Sequence, residues 1–465
     1  MKINSVAFVE PMPDTITVFD RAGMIRGSAL LATIVSEAGY KAKAYRKKIT
    51  DEFLDRIIWE ADVIGISTLT NTYLLGCEIA DILKNAGKIV IMGGPHVTFE
   101  AEDALKHCDF VFRGEADDTI VPFLKALEQG SGLEKINGLS FMEGGMVVNC
   151  GPQALCKDIN DLPSINWSLV EEDRKSDIRP VMTSRGCPFD CTFCSVTAMF
   201  GKKFRHRSSE KVIEEIPEGG FAFYIDDNLA GNYKRLENDL LPSIIASGKT
   251  PFAACQVRAE IAKHPRLLEL KRKANIRIDC IGFESVNPAT LKEFEKGQTV
   301  EGMKENIKIL HKHGDLIHGM FVLGADNDTA ETIRETLKFA IDNELESVQF
   351  MILTPLPGTQ QYRDFEKEDR IVNKDWNLYD AHHAVFKPKN MSMYALQKET
   401  IGAMYEFYSL SRTIRRFASK VIKNPKSWRD ELWVAGIRLY ARNQIISWYG
   451  NQKNKDFLES LKSRG

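Results

Sequence analysis

Long apolar runs are the first thing this sequence lacks. None of its 465 residues lies in a stretch of about 18 uncharged apolar residues, the length that a membrane-spanning helix requires. We therefore expect no transmembrane segment. An excess of one charge is also missing, because 62 Lys and Arg stand against 64 Asp and Glu, for a net charge of −2. Such a balance creates no global field for nucleic acid, and no nucleic-acid partner is predicted.

A secretory leader is also lacking, because the first residues, Met-Lys-Ile-Asn-Ser-Val-Ala-Phe-Val, predict a strand. Nine cysteines without a leader favour a reducing, cytoplasmic setting over a disulfide framework. Six of them are scattered and are expected to be plain thiols: Cys77, Cys108, Cys150, Cys156, Cys255 and Cys280. At this length two or three domains are expected.

The other three cysteines, Cys187, Cys191 and Cys194, stand together in the spacing C-x3-C-x2-C. Three thiolates in this arrangement can hold three corners of a [4Fe–4S] cluster and leave the fourth iron open to a substrate or cofactor. A structural zinc site is the alternative, but such sites normally close with four ligands. The nearest further ligand, His206, belongs to a basic run with Lys202, Lys203, Arg205 and Arg207 that follows the cysteines. This run is typical of a solvated face or of an anion-binding segment.

The cysteine segment resembles the signature of radical S-adenosylmethionine (SAM) enzymes. The resemblance implies that the open iron chelates the amino and carboxylate groups of SAM, and that electron transfer cleaves SAM to a 5′-deoxyadenosyl radical. Phe193, just before Cys194, matches the aromatic residue that this family places beside the adenine. Flavodoxin or ferredoxin is the implied electron donor.

Residues 1–145 alternate short apolar runs with helical patterns, which predicts an α/β domain with a doubly wound, Rossmann-like parallel sheet. Strands are predicted at 6–9, 42–45, 63–67, 89–93 and 110–113, and helices at 28–38, 51–58, 73–85, 100–106 and 119–128. Ligands of such sheets bind beyond the carboxyl ends of the strands. Residues 146–175, with weak periodicity and turn residues, are predicted to form a linker.

Two of these strand ends carry small or flexible residues: Ser67, Thr68, Leu69 and Thr70 after one, and Gly93, Gly94 and Pro95 after the next. Bare backbone at a glycine pair allows a bulky ligand to approach, although tight turns would look the same. The glycine pair with His96, followed by Arg113-Gly114-Glu115, is similar to the cobalamin-binding domain that precedes many radical SAM cores.

In that domain the serine/threonine and glycine-pair loops accommodate the nucleotide tail of cobalamin. The D-x-H-x-x-G motif that supplies a histidine to cobalt in other B12 proteins is absent from the loop at 10–14. Cobalamin is therefore expected without a histidine on cobalt, with a lower-face neighbour at 69–71. His96 is expected to be a loop or capping residue.

Residues 176–390 contain six strand-like runs separated by helical ones, at 180–184, 221–226, 252–258, 278–284, 319–324 and 347–354. This pattern predicts a partial, TIM-like (βα)6 barrel with its active residues at the carboxyl ends of the strands. The cysteine loop follows the first strand.

Polar residues or a glycine follow the later strands. The resemblance implies that Asp226 or, preferably, Asp227 contacts the amino group of SAM. Arg258, with Gln256, suits the SAM carboxylate, Glu284 with Ser285 suits the ribose hydroxyls, and the strand ending at Gly324 lies against adenine. Each residue alone would also fit a strand end or a helix cap.

From 391 to 465 the pattern is helical. His382 and His383, just before it, could line a substrate cavity, although neighbours on a strand point to opposite sides. Basic residues alternate with aromatic ones in this region, which favours either a peripheral membrane contact or plain helix packing.

Together these features predict a cobalamin-dependent radical SAM enzyme with three cofactors, a [4Fe–4S] cluster, SAM and cobalamin. The expected reaction is methylation of an unactivated carbon of a small-molecule or lipid-like substrate. Non-methylating radical chemistry (oxidative cyclisation, ring contraction or carbon–carbon coupling) and a B12 or redox sensor are the alternatives. No catalytic residue is assigned from the sequence.

Overall fold

A computed structural model describes residues 2–12, 25–173 and 178–463. Two mainly parallel sheets, each flanked by helices, are followed by a layer of C-terminal helices, so the predicted α/β class and three-part architecture are confirmed. No helix in the described part of the chain is both long and apolar enough to cross a membrane.

The strands are numbered in chain order: β1 Ser5–Val9, β2 Lys41–Arg46, β3 Val63–Ser67, β4 Ile89–Gly93, β5 Phe110–Phe112, β6 Leu139–Glu143, β7 Met146–Cys150, β8 Val170–Glu172, β9 Ile178–Val181, β10 Ser184–Arg185, β11 Arg205–His206, β12 Phe221–Tyr224, β13 Phe252–Val257, β14 Ile276–Glu284, β15 Leu316–Leu323 and β16 Ser347–Ile352.

The α-helices are α1 Gly27–Glu37, α2 Asp51–Glu60, α3 Tyr73–Asn85, α4 Pro95–Phe99, α5 Ala101–Ala104, α6 Ile120–Gln129, α7 Val196–Phe200, α8 Ser209–Glu215, α9 Tyr233–Arg235, α10 Leu241–Ser247, α11 Pro265–Lys273, α12 Pro288–Glu293, α13 Val300–His313, α14 Ala330–Asp342, α15 Gln360–Lys367, α16 Met393–Phe407, α17 Leu410–Lys423, α18 Trp428–Gly450 and α19 Gln452–Ser460.

The N-terminal sheet has the order β7-β6-β5-β4-β3-β1-β2-β8. Strand β1 pairs with β2 on one side and with β3 on the other, so the strand order changes direction at β1. Strands β1 to β5 are all parallel. Their central residues are buried on both faces, as expected for a doubly wound sheet.

The segment 146–175 differs from the predicted linker. Its described residues contribute β7, which pairs antiparallel with β6, and β8, which pairs parallel with β2 at the opposite edge. Gly144 and Gly145, with φ of +58° and +81°, form the two-residue turn between β6 and β7. Glycine suits this turn because both positions need positive φ. The prediction failed because these edge strands are short and only half-buried.

The central sheet has six parallel strands in the order β16-β15-β14-β13-β12-β9, so each strand pairs with its predecessor in the barrel series. All six predicted barrel strands are present within a few residues of their expected positions. Parallel strands in this order direct their carboxyl ends to one side, where the cysteine loop lies after β9 and β10.

Candidate active site between the two parallel sheets

A cavity of about 320 Å3 lies where the carboxyl ends of strands from both sheets meet. Its size falls at the lower end of the range for small-molecule sites, about 300–1,000 Å3. The N-terminal sheet contributes strand-end residues of β1, β3, β4 and β5 and the start of α1. The part of the chain around the cysteine loop and the ends of β9 and β12 contributes Met182, Ser184, Arg185, Met199, Phe200, Ile225 and Asp227. A ligand in this cavity would contact both sheets at once.

The β3 loop contributes only part of its predicted set to the cavity. Ser67 lines it, whereas Thr68 and Thr70 are buried and Leu69 is 59% exposed outside the lining. Thr68 instead supports the neighbouring loop, because its backbone N–H donates to the Gly93 carbonyl at 3.0 Å. Its hydroxyl oxygen is buried without a hydrogen-bond partner.

The glycine pair after β4 serves two purposes. Gly93, Gly94 and Pro95 all line the cavity, and a Cβ on Gly93 would meet no atom within 4 Å. Gly94 has φ of +103°, and a Cβ there would lie 2.4 Å from the Thr68 carbonyl oxygen. Gly93 therefore leaves space for a ligand, while Gly94 is required by the protein's own backbone.

His96 is neither a loop residue nor a helix cap. It lies in α4, 1% exposed, with its ring 4.1 Å from that of Tyr73 and 4.8 Å from that of Trp376. Burial lowers its pKa to about 4. His96 does not line the cavity, and no histidine does within the described part of the chain. The loop at 10–14 was predicted to lack a cobalt-binding histidine motif. Its positions 13 and 14 lie outside the described residues.

Cys187, Cys191 and Cys194 are half-buried in the loop between β10 and α7. Burial raises the pKa of all three thiols, that of Cys194 to about 12. Among the described residues, no three His, Cys, Asp or Glu side chains converge to hold a single metal ion. The three thiols of this loop fit a cubane, where each thiolate binds a different iron.

The neighbouring carboxylates Asp226 and Asp227 differ in their surroundings. Asp226 is buried and accepts hydrogen bonds from the Thr183 hydroxyl at 2.9 Å, the Thr183 N–H at 3.2 Å and the Ser184 hydroxyl at 2.5 Å. Asp226 therefore holds the start of the cysteine loop and does not line the cavity, which argues against its predicted contact with the amino group of SAM.

Asp227 lines the cavity instead. Burial, with a smaller contribution from the charge of Asp226, raises its pKa to about 7. Burial is the main cause of the raised pKa of Cys187 and Cys194, and the charge of Asp227 raises both pKa values further. Asp227 therefore lies near the cysteine loop. A carboxylate in this position suits a cationic group of a ligand bound at the loop.

Arg258 and Glu284 lie together on the other side of the cysteine loop. The Arg258 guanidinium lies 4.2 Å above the Phe189 ring, which belongs to that loop, and donates to the Lys296 carbonyl at 2.6 Å. Glu284, with a φ of +64°, accepts from the Lys296 ammonium at 2.6 Å. Backbone strain of this kind in a non-glycine residue is concentrated at functional sites.

Lys296 is the site residue that sequence reasoning missed. Burial would lower its pKa, but the charge of Glu284 and the hydrogen bond to it outweigh burial and raise the pKa. Its charge in turn acts on Cys191. The only signal in the sequence was a lysine after a short helix, which is common on any surface.

The other four residues that were expected to contact SAM have different surroundings. Phe193 packs on Phe294 with ring centroids 4.7 Å apart. The Ser285 hydroxyl accepts from the Asn287 N–H at 3.0 Å and so forms the turn before α12. Gly324 has φ of +98°, and the space for its Cβ is taken by Leu396, so it shows no open cradle on that side. Gln256 is half-buried on β13.

Buried ion pairs join the two sheets around the cavity. Arg185 binds both carboxylate oxygens of Asp117 at 2.8 and 3.0 Å, and Arg205 binds those of Glu115 at 2.5 and 2.9 Å. Within the basic run after the cysteines, Arg205 and Arg207 are therefore largely buried, whereas Lys202 and Lys203 are exposed. These pairs fix the cysteine loop relative to the N-terminal sheet.

His382 and His383 do not line the cavity. The His383 ring bonds to Asp380 at 3.0 Å and to Asn454 at 3.0 Å, and His382 packs on Trp448 at 4.9 Å. Both histidines therefore attach the C-terminal helices to the end of the barrel.

The residues present fit the three expected cofactors. The cysteine loop offers three thiols, and buried polar atoms without partners lie next to the expected contacts, at Thr192, Asn228 and Gln298. Buried polar groups are normally satisfied, so unpaired ones at one site indicate a missing polar ligand. On the other sheet, Gly93 lines the cavity and leaves space for a bulky ligand.

Comparison with known proteins gives two matching family models, the B12 binding domain at residues 18–124 and the Radical SAM superfamily at residues 181–340. A relative named uncharacterized methyltransferase PH0819, from Pyrococcus horikoshii, is 30% identical over 88% of this chain and 93% of its own length. Bacteriochlorophyllide d C-12(1)-methyltransferase of Chlorobaculum tepidum is 26% identical, with 90% of each chain covered.

Among solved structures, the cobalamin-dependent SAM radical enzyme OxsB, with aqua-cobalamin and SAM bound, has a TM-score of 0.70 at 14% identity. The match covers 99% of this chain and 84% of that one, and it shows the shared fold. Two domain models in the predicted order, a relative that spans nearly the whole chain and a cavity between the two sheets agree with one another. The chain therefore belongs to the cobalamin-dependent radical SAM enzymes.

Proposed function

We propose that this enzyme methylates an unactivated carbon of an apolar small molecule, with Cys187, Cys191 and Cys194 holding a [4Fe–4S] cluster. The observation that carries the proposal is the position of Asp227, which lines the cavity beneath the N-terminal sheet and also lies near the cysteine loop. A ligand of the N-terminal sheet and a ligand of the cysteine loop would thus share one space.

When bound, the cluster with SAM would supply a hydrogen-abstracting radical, and cobalamin would supply a transferable methyl group. The protein's own residues bind and orient these groups. Asp227 provides a carboxylate for the SAM amino group, while Arg258 and Lys296 provide cations for its carboxylate. Glu284 keeps Lys296 charged and in place. The apolar cavity wall excludes water from the reacting atoms.

The cavity also supports cobalamin without a histidine on cobalt, because no histidine lines its described wall. The Co(II) form of the loaded protein is then expected to show no nitrogen superhyperfine splitting from histidine in electron paramagnetic resonance. The neighbour at 69–71 stays a prediction, and none of these three residues lines the cavity. Its most exposed residue is Leu69, an apolar side chain with no atom to offer to cobalt.

The substrate class rests on the cavity and on the relatives. The described lining is mostly apolar, and one relative is named for a bacteriochlorophyllide substrate. A cytoplasmic setting and a flavodoxin or ferredoxin donor are parts of the same proposal. All nine cysteines are free thiols in the structure, which suits a reducing compartment.

The test uses anaerobically reconstituted enzyme, SAM with a deuterated methyl group, and a panel of chlorin and polycyclic lipid extracts. Methyl transfer should give 5′-deoxyadenosine and S-adenosylhomocysteine together with a product carrying the label. Cyclisation or coupling would give 5′-deoxyadenosine without labelled product. The triple Cys→Ala variant at positions 187, 191 and 194 should lose bound iron and all products, and Cys108→Ala, in the N-terminal core, is its control.

Formation of 5′-deoxyadenosine by the triple variant would refute the cluster assignment. Substrate-dependent 5′-deoxyadenosine without S-adenosylhomocysteine would refute methylation and leave the radical chemistry intact.

A further inference from the structure

The C-terminal helical hairpin exposes an unusual number of large apolar side chains. In α17, Leu410 is 50% exposed, Ile414 58% and Ile422 79%. In α18, Trp428 is 47% exposed and Leu432 55%. We call these five residues the hairpin patch. Large exposed apolar groups that occur together mark an interaction site, whereas single ones need no explanation.

Helix α17 is oriented with its charged face toward the protein. Arg416 binds Glu346 at 2.6 Å, and Lys420 binds Glu344 at 2.6 Å; both glutamates precede β16. Thr413 is the one α17 residue that is buried. An amphipathic helix of a globular protein normally buries its apolar face and exposes its charges. Here the ion pairs hold the helix so that its apolar face points outward.

Helix α18 continues the same surface. Trp428, Leu432, Leu439 and Ile446 follow at intervals of four, seven and seven residues, so they form one stripe along the helix. Leu439 and Ile446 are each 39% exposed. The opposite side of α18 is buried, and there the Arg438 guanidinium donates to the Glu346 carbonyl at 3.1 Å. The stripe is therefore an outer face of a docked helix.

The charge of this hairpin is strongly positive. Residues 410–446 contain nine Lys and Arg but only two Asp and Glu, whereas the rest of the chain contains 53 and 62. At the turn between the helices, Ile422 and Trp428 are surrounded by Lys423, Lys426 and Arg429. Lys423 pairs with Glu344 at 3.5 Å, whereas neither Lys426 nor Arg429 forms an ion pair within the described residues. The Arg429 guanidinium lies 5.3 Å above the Trp428 ring.

We infer that the hairpin patch docks the enzyme on an anionic lipid surface. Apolar and aromatic side chains bordered by exposed cations are the composition that inserts at the boundary between headgroups and acyl chains. A second copy of the chain fits less well, because a two-fold interface would bring the same cations of both copies together. The inference goes beyond the proposed function, and its test does not depend on turnover.

The test is co-sedimentation of the full-length protein with vesicles of phosphatidylcholine alone, or of equal parts phosphatidylcholine and phosphatidylglycerol. Binding is expected to the anionic vesicles and to weaken with added salt. Each Lys or Arg near such a surface contributes about fivefold to partitioning. The triple variant Lys423→Gln, Lys426→Gln and Arg429→Gln should therefore bind on the order of 100-fold more weakly.

Apolar insertion is tested by Ile422→Ser with Trp428→Ser, which should weaken binding to the anionic vesicles while the charges remain. The matched control is Trp59→Ser, because Trp59 is 90% exposed on α2, away from the hairpin. It should bind like the unaltered protein. All these side chains are exposed, so circular dichroism and melting temperature should be unchanged.

Three results would overturn the inference. The first is no binding to anionic vesicles, and the second is binding that none of the hairpin variants weakens. The third is a concentration-dependent dimer in light scattering that the Ile422→Ser, Trp428→Ser variant abolishes, since the patch would then be a contact between copies. Loss of turnover without loss of vesicle binding would refute the proposed function only.

Discussion

Asp226 and Asp227 show how far single residues can be read from sequence. Both follow the same strand, and on residue type alone either could bind a ligand. The structure separates them, because Asp226 uses both oxygens on Thr183 and Ser184 while Asp227 lines the cavity. Successive residues at a strand end point to opposite sides. Which side is the cavity depends on the other sheet, and no local pattern contains that information.

The two glycines after β4 allow a matched pair of substitutions. Gly93→Ala should leave the fold intact, because its Cβ meets no atom within 4 Å, but it should weaken cobalamin binding by intruding into the cavity. Gly94→Ala should destabilise the protein. Its φ of +103° and ψ of 175° lie in a region that costs a side chain about 1–3 kcal/mol. The clash with the Thr68 carbonyl adds to this cost.

Thermal melting of the apoprotein and cobalamin titration of each variant separate the two roles. Equal losses of melting temperature would contradict the assignment, as would unaltered cobalamin affinity in Gly93→Ala. Gly402→Ala is a suitable control, since Gly402 lies within α16 and a Cβ there also meets nothing within 4 Å.

At the level of elements, buried strands were predictable and edge strands were not. The runs that became β3 and β4 are short and almost entirely apolar, so residue type alone marked them. By contrast, β7 and β8 are half-buried edges, and 146–175 therefore resembled a linker. The pair Gly144-Gly145 between apolar runs was the available signal for the hairpin.

The residues of the candidate site also differ in how far the sequence indicated them. Cysteine spacing indicated the loop that we propose holds the cluster, because a covalent metal site needs a fixed local pattern. Lys296 was missed, because its significance comes from Glu284, which is 12 residues away in sequence and was itself assigned to a different contact. The C-terminal histidines were expected near a cavity, yet their partners lie on helices whose docking no local pattern specifies.

The contact between His383 and α19 should make docking of the C-terminal helices pH-dependent. Burial alone would lower the pKa of His383, but the charge of Asp380 and the hydrogen bond to it raise the pKa above 6.5. Stabilisation by the charged ring is therefore complete below about pH 6.5, the ordinary histidine value, and is lost as pH rises through the folded pKa. A hydrogen bond to a charged group contributes about 1.5–3 kcal/mol.

Hydrogen exchange of α19 measured across neutral and alkaline pH checks this expectation. In the unaltered protein, the protection factors of the α19 amides, corrected for the intrinsic pH dependence of exchange, should fall as pH rises. In His383→Gln it should be low throughout and lack that fall. His313→Gln, at the end of α13, serves as the control. A fall of equal size in His383→Gln would show that another group is responsible.

For the molecule as a whole, the cavity exists only where the two sheets meet. Arg185 with Asp117, Arg205 with Glu115 and Arg26 with Glu215 are buried ion pairs that cross this boundary. Breaking one partner of such a pair costs about 3–5 kcal/mol, because the other charge stays buried. The relative position of the sheets is therefore strongly specified, and so is the position of the cysteine loop relative to the N-terminal ligand.

Fragments of the chain test this arrangement. A fragment ending at residue 145 lacks β7 and β8, the two edge strands of the N-terminal sheet, and should be unstable or aggregate through the uncovered strands. A fragment ending at residue 173 retains the complete sheet and should fold. It still lacks the cavity wall formed by Met182, Ser184, Arg185 and Asp227, so it should bind cobalamin more weakly than the full-length protein.

Circular dichroism, thermal melting and cobalamin titration of the two fragments and the full chain give the comparison. If the shorter fragment folds as stably as the longer one, then β7 and β8 do not belong to the cooperative unit of the N-terminal sheet. If the longer fragment binds cobalamin as tightly as the full chain, the central sheet contributes nothing to that site. The binding measurement would then refute a cobalamin site shared by the two sheets, on which the proposed reaction depends. No measurement of turnover would be needed.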